Sequence, residues 1–209
     1  MKKNNWIIGT FYTLDSPYES VFQQYLLPSL KKIKNVHPNI QWIVKTIKNN
    51  HSWLLNTAQK PLIIKEILQE LNKDECLVFL DADATIEKYP ILFDEIAQEY
   101  DIAFHLLSWS EWYEYTESTI QELLSGTLFL RNNDEVKKLC EDWYQEAINT
   151  QEWEQRCLQR ILPNHQVNVF NLPLQYCFMK TRPGGLEPLI KCEPVIQHNQ
   201  VSRIYRKKL

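Results

Sequence analysis

Apolar and polar positions along the chain switch between two periods, and the switches mark its elements. Trp6–Thr10, WIIGT, reads as a short strand. Tyr18–Lys34 follows with a helical pattern that Pro28 is expected to kink or split, because a proline inside a helix removes a hydrogen bond. Ile40–Ile47, IQWIVKTI, alternates in part and predicts a second strand. In Pro61–Leu71, the residues Ile63, Ile64, Ile67, Leu68 and Leu71 share one helical face, and Pro61 suits a first turn. Cys76–Leu80 is an unbroken apolar run, as in a strand buried on both faces. Pro90–Tyr100 reads as helix, and Asp101–Leu107 and Thr127–Arg131 as strands. The clearest helix is Asn133–Asn149, where Val136, Leu139, Cys140, Trp143, Tyr144, Ala147 and Ile148 keep the helical period, with Asn132 or Asn133 as cap. This alternation predicts an α/β domain with a mostly parallel central sheet flanked by helices. Ligands of such sheets sit at the carboxyl ends of the strands.

A length of 209 residues without a repeat or low-complexity linker suits one domain. The net charge of −3 gives no general attraction to nucleic acid or to an anionic membrane, and the one basic stretch is SRIYRKKL. Five cysteines, an odd number with no C-x-x-C pair, suit reduced thiols in a cytoplasmic protein better than a disulfide framework or a zinc site. No apolar stretch approaches a membrane span, so no transmembrane segment is expected, and the run after MKKNN is too short for a signal peptide. Four glycines leave no G-x-G-x-x-G or Walker pattern, which excludes a glycine-rich phosphate loop. Seven tryptophans and ten tyrosines suit a site that stacks on rings, although a core can absorb them equally well.

The candidate chemistry lies in LVFLDADATI, where the third strand runs into Asp81 and Asp83. Two carboxylates this close repel each other. At positions i and i+2 of an extended segment they project to the same side, and a divalent cation there offsets their repulsion and leaves places for phosphate oxygens. The plainer reading is a turn cap before the helix at Pro90. A phosphatase of the haloacid-dehalogenase type, with Asp81 as nucleophile, is a second chemistry for the motif. Against it, Ala84 stands where that motif has glycine, two strands and two helices precede it, and no later acidic pair completes it.

Several segments recur in a characteristic order: GTFYTLDSPYE, SWLLNTAQKPLIIKEIL, LVFLDADATIEKYPILFDE, SGTLFLRNNDEVKKLCEDW, WEQRCLQRIL, LPLQYC and PVIQHNQVSRIYR. Over most of its length the chain resembles the nucleotide-diphospho-sugar transferases of the GT-A fold, of the small bacterial and phage type. The resemblance implies one Rossmann-like domain over residues 1–209. Residues 1–107 would bind the nucleotide sugar; residues 108–209 would form the acceptor side and a tail for metal and diphosphate. The implied reaction moves a sugar from a nucleotide diphosphate sugar, UDP-sugar favoured, to a hydroxyl of a glycan, protein or small molecule, with Mn²⁺ or Mg²⁺. A binding protein without turnover is the remaining alternative.

By the same resemblance, Asp81, Asp83 and His198 hold the metal, Asp83 directly and Asp81 through water or in contact with ribose. Thr10, Tyr12 and Thr13 contact base and ribose. Asn56 and Lys60 precede a helix suited to anions, and Lys60 pairs with the diphosphate. Arg203 and Arg206 neutralise the departing charge, and Ser125 and Gly126 bring backbone close to the donor sugar. Gln155 matches an Asp-Gln pair in the family, whereas Glu154 replaces the aspartate with a side chain one methylene longer; both are catalytic candidates. The C-terminal histidine leans the resemblance towards retention at the anomeric carbon. Trp109, Trp112, Tyr113 and Tyr115 read as an acceptor-facing loop or, equally, as a small hydrophobic cluster.

Overall fold

A computed structural model of the protein describes residues 5–73, 75–113 and 117–205. In chain order the elements are β1 (Trp6–Thr13), α1 (Pro17–Gln24), α2 (Leu26–Val36), β2 (Trp42–Ile47), α3 (Trp53–Thr57) and α4 (Lys60–Glu70). Then come β3 (Cys76–Leu80), β4 (Ala84–Ile86), α5 (Leu92–Ile96), β5 (Ile102–Ser108), α6 (Trp109–Trp112) and β6 (Gln121–Arg131). The last are α7 (Asp134–Thr150), α8 (Glu154–Ile161), β7 (Val169–Asn171), β8 (Phe178–Met179), β9 (Ile196–His198) and α9 (Ser202–Tyr205).

Six strands form one sheet in the order β2-β1-β3-β6-β5-β7. The pairs β1–β2, β1–β3 and β5–β7 are parallel, while β6 runs against both its neighbours. The sheet is therefore mostly parallel with one reversed strand near its middle. A separate sheet, β4-β9-β8, lies beyond the end of β3.

Strand β3 shows why its apolar run is unbroken. Cys76, Val78 and Leu80 pack with Phe22, Leu26 and Leu30 on one face, and Leu77 and Phe79 with Ile64, Ile67, Leu139 and Trp143 on the other. All five β3 side chains are buried, and each of the larger ones contributes roughly 1.5–3 kcal/mol. Helix α7 packs on α4 and is capped by Asn133, whose side chain accepts from the Val136 amide at 2.8 Å.

Some boundaries differ from expectation; β1 runs on to Thr13 instead of ending at Thr10. The first helical region splits at Tyr25, upstream of Pro28, because Pro28 falls in the first turn of α2, where its missing N–H is not needed. The helix expected over 90–100 contracts to α5, and the strand expected from Thr127 begins at Gln121. None of the five cysteines forms a disulfide, and four of them are buried. Among the described residues no helix is long and apolar enough to cross a membrane.

Candidate active site

Strand β3 ends at Leu80, and the amide of the next residue, Asp81, donates to the Gly126 carbonyl at 2.9 Å and so continues the pairing with β6. The Ala84 amide then donates to the Asp81 carbonyl at 2.9 Å. Asp-Ala-Asp is thus a tight turn rather than the extended segment expected, and the turn makes the carboxylates converge. Beyond it β4 pairs antiparallel with β9, with Ala84 opposite His198. That pairing carries the imidazole to the aspartates. It is secured by Asn199, whose side-chain amide donates to the Asp83 carbonyl at 2.8 Å, and by the Val201 amide, which donates to Asp83 Oδ2 at 2.9 Å.

Asp81, Asp83 and His198 each offer a ligand atom within 4.8 Å of the others. His198 Nδ1 lies 3.5 Å from Asp83 Oδ1, and the Thr127 hydroxyl shares a hydrogen bond of 2.8 Å with Nε2. Burial opposes charge on the His198 ring, but the Cys177 sulfur and the Asp83 carboxylate outweigh it and raise its pKa to about 10. Burial likewise opposes ionisation of Asp83, yet His198 and the Val201 amide hold its pKa below the usual value. Gly126 makes room for this arrangement: a Cβ there would meet His198 Cε1 at 2.9 Å and Nδ1 at 3.0 Å. Around it the β5–β6 register shifts, Ala103 facing Phe129 but His105 facing Leu124, so that residues 125–128 bulge relative to β5 while Thr127 stays paired with Leu80 of β3.

A second group sits beside the first. Lys60 Nζ lies 2.9 Å from Asp81 Oδ1 and 3.0 Å from Glu154 Oε1, and donates to Ser125 Oγ at 3.1 Å. Lys60, Ser125, Glu154 and Gln155 are all buried. Burial works against charge on Lys60, but Asp81 and Glu154 prevail and raise its pKa. Burial raises the pKa of Glu154, with Lys60 opposing. Among the described residues Glu154 Oε2 has no hydrogen-bond partner. Gln155 accepts from the Ser125 amide at 3.0 Å and donates to Glu122 Oε1 at 2.8 Å. The start of α8 is fixed from below by Trp143, whose indole N–H donates to the Glu154 carbonyl at 2.7 Å.

Both groups open into one cavity of about 470 Å³. It brings together Tyr12, Thr13, Asn56, Lys60, Asp81, Asp83, Ser125, Gly126, Glu154, Gln155, His198 and Arg203 from the sequence reading. Thr10 does not join them; it is wholly buried in β1, off the cavity wall. Arg206 and Tyr115 lie outside the described residues. Asn56 is held by Asn49 and Asn50, and Arg203 donates to the Thr181 carbonyl at 2.8 Å. Trp112 is core rather than acceptor-facing: fully buried, it packs edge-on to Phe178. Trp109 donates to Glu122, and Tyr113 reaches the cavity. Sequence reasoning assigned no role to Thr127, Glu122, Tyr18, Trp53 or Trp153. The two tryptophans sit inside SWLLNTAQKP and WEQRCLQRIL, which were visible, but no periodicity marks them as cavity residues.

No protein-family model matches the sequence, and no curated protein matches it. Solved structures do match the fold. A glycosyltransferase involved in glycosylation of the major capsid of PBCV-1 superposes with a TM-score of 0.64 at 12% identity, covering 97% of each chain. Mouse xyloside xylosyltransferase 1 matches with a TM-score of 0.55 at 11% identity, over 93% of this chain and 97% of its own. The galactosyltransferase LgtC, solved with donor and acceptor sugar analogues, matches with a TM-score of 0.53 at 11% identity, over 92% and 86%. These neighbours are glycosyltransferases of the GT-A fold. The chain has the GT-A fold. At such identities the likeness is one of GT-A backbone, and chemistry has to be argued from the side chains.

Proposed function

We propose that this GT-A chain is a metal-dependent glycosyltransferase, moving a sugar from a nucleoside diphosphate sugar to an acceptor hydroxyl. The observation that carries the reading is the trio Asp81, Asp83 and His198, gathered at the carboxyl end of β3 on the wall of the cavity. Two carboxylates and an imidazole fit Mn²⁺ or Mg²⁺, and these three residues would hold the ion. A divalent cation there supplies Lewis-acid stabilisation to a diphosphate leaving group.

The chain's own residues take the remaining tasks. Tyr12 and Thr13, at the end of β1, face the base and ribose of a UDP-sugar. Lys60 and Arg203 add positive charge near the leaving group. Ser125 and Gly126 present backbone to the donor sugar, while Glu154 and Gln155 orient the reacting groups from the start of α8. In the transfer the acceptor oxygen bonds to the anomeric carbon and the bond from that carbon to the phosphate oxygen breaks. The diphosphate leaves with the electron pair, and the hydroxyl proton passes to a carboxylate or phosphate oxygen. Residues 1–107 thus supply most of the donor contacts, and residues 108–209 add Ser125, Gly126 and Arg203, the acceptor side and the closing histidine. The GT-A fold favours this reading over the phosphatase, and in place of a free nucleophile Asp81 has an ion pair with Lys60.

The test is thermal stabilisation by UDP and by GDP, with and without Mn²⁺, on wild type and Asp83→Ala, followed by release of the diphosphate from its sugar conjugates. Metal-dependent stabilisation lost in Asp83→Ala is expected. Stabilisation by neither diphosphate would count against the reading, and binding without turnover would leave a nucleotide-sugar-binding protein.

A further inference from the structure

Trp53 and Trp153 stand on the cavity wall with no part in the assignments above. Trp53 is the first residue of α3 and Trp153 the N-cap of α8, and their rings lie 5.7 Å apart at 56°. Both are half-buried, so each keeps indole surface open. A tryptophan that served packing alone would gain by hiding that surface, as Trp6, Trp112 and Trp143 do in this chain. Trp153 cannot drift, because α8 is anchored at its first residue by Trp143.

The polar groups nearby complete a pattern. Glu154 follows Trp153 directly, and its Oε2 is buried with no hydrogen-bond partner among the described residues. Glu122 lines the same cavity, and so does Tyr113. A pyranose ring has a C–H face that packs on an aromatic ring and an edge of hydroxyls that donate to carboxylates. Aromatic faces beside acidic acceptors match both features, whereas an anionic group beside Glu122 would be repelled.

Resting on the transferase reading, we infer that Trp53 and Trp153 form the acceptor subsite and that the acceptor is a neutral carbohydrate. Its ring stacks on the pair and its reacting hydroxyl faces the end of α8.

The test probes the full chain, fluorescently labelled, with an array of neutral mono- and oligosaccharides and a peptide array, in the presence and absence of UDP or GDP with Mn²⁺. Wild type is expected to be retained on neutral glycans. Trp53→Leu and Trp153→Leu should weaken retention about tenfold, an effect of the size expected for one lost ring contact. Trp153→Phe should keep most of it, and the thermal shift with UDP or GDP should stay unchanged in all three variants. Retention on peptides alone, on nothing, or equally by the leucine variants overturns the inference. So does loss of the nucleotide shift in those variants, which would move the pair to the donor site. The two readings fail separately. Nucleotide stabilisation without glycan retention sinks the subsite and spares the transferase. Tryptophan-dependent glycan retention without any nucleotide stabilisation sinks the transferase and leaves the pair a carbohydrate-binding site with no acceptor role.

Discussion

Lys60→Met deletes one charge from a buried ionic group while keeping an apolar stem. Lys60 is 3% exposed and its ammonium lies between Asp81 and Glu154, at 2.9 and 3.0 Å. Without it the Glu154 carboxylate, itself 2% exposed, keeps the Ser125 hydroxyl at 3.0 Å but loses its countercharge. Removing one partner of a buried ion pair costs about 3–5 kcal/mol. The Asp81 share is discounted, because its side chain is 38% exposed and water screens it. Glu154 can also take up a proton. An unfolding free energy lower by about 3 kcal/mol near neutral pH is therefore expected from urea titration. The pH dependence follows from linkage. Burial already raises the folded pKa of Glu154 above its unfolded value, and loss of Lys60 raises it further. The folded state then holds a proton that the unfolded state releases, so stability falls as pH rises from the unfolded pKa towards the folded one. The penalty should shrink on going from pH 8 to about pH 5. Lys60→Met/Glu154→Gln should recover most of the loss. A single variant within about 0.5 kcal/mol of wild type, or a double variant no more stable than the single, would refute the buried-pair reasoning.

Three further outcomes are expected. Gly126→Ala drives a methyl group into the His198 ring; Mn²⁺-dependent stabilisation by the diphosphate should fall at least about tenfold while the circular dichroism of the fold is kept. Gln155→Glu sets a second carboxylate against Glu122 across a contact now 2.8 Å long, costing about 1–3 kcal/mol at neutral pH and less at pH 4.5, read by urea titration at both. Asp83→Asn should keep an acceptor for the Val201 amide and so unfold within about 1 kcal/mol of wild type, yet lose the metal-dependent nucleotide shift; retention of that shift would remove Asp83 from the metal site.

Much of the architecture was legible because it is written locally. The apolar run of β3 and the helical period of α7 depend on neighbours a few residues away, and both elements stand where the pattern places them. Asp81 and Asp83 were visible for the same reason, at the end of a strand too apolar to be anything but central. The pair Glu154–Gln155 was visible by family pattern, and the structure places both on the cavity wall.

What tertiary structure alone decided is non-local. His198 reaches Asp83 because β4 pairs with β9 in one register, and a slip of one residue would turn the ring to the other face. Lys60 reads in sequence as a diphosphate partner just before a helix, yet only the packing of α4 against the sheet shows its ammonium buried between Asp81 and Glu154. Thr10, which the strand-end pattern offered to a nucleotide, is instead enclosed within β1. Trp112 and Trp153 are both tryptophans beside polar residues, and the packing of α6 and α8 sends one to the core and the other to the cavity. Period and propensity fix which elements form. Strand pairing and helix packing fix which distant side chains share a site, and no short window of sequence contains that choice.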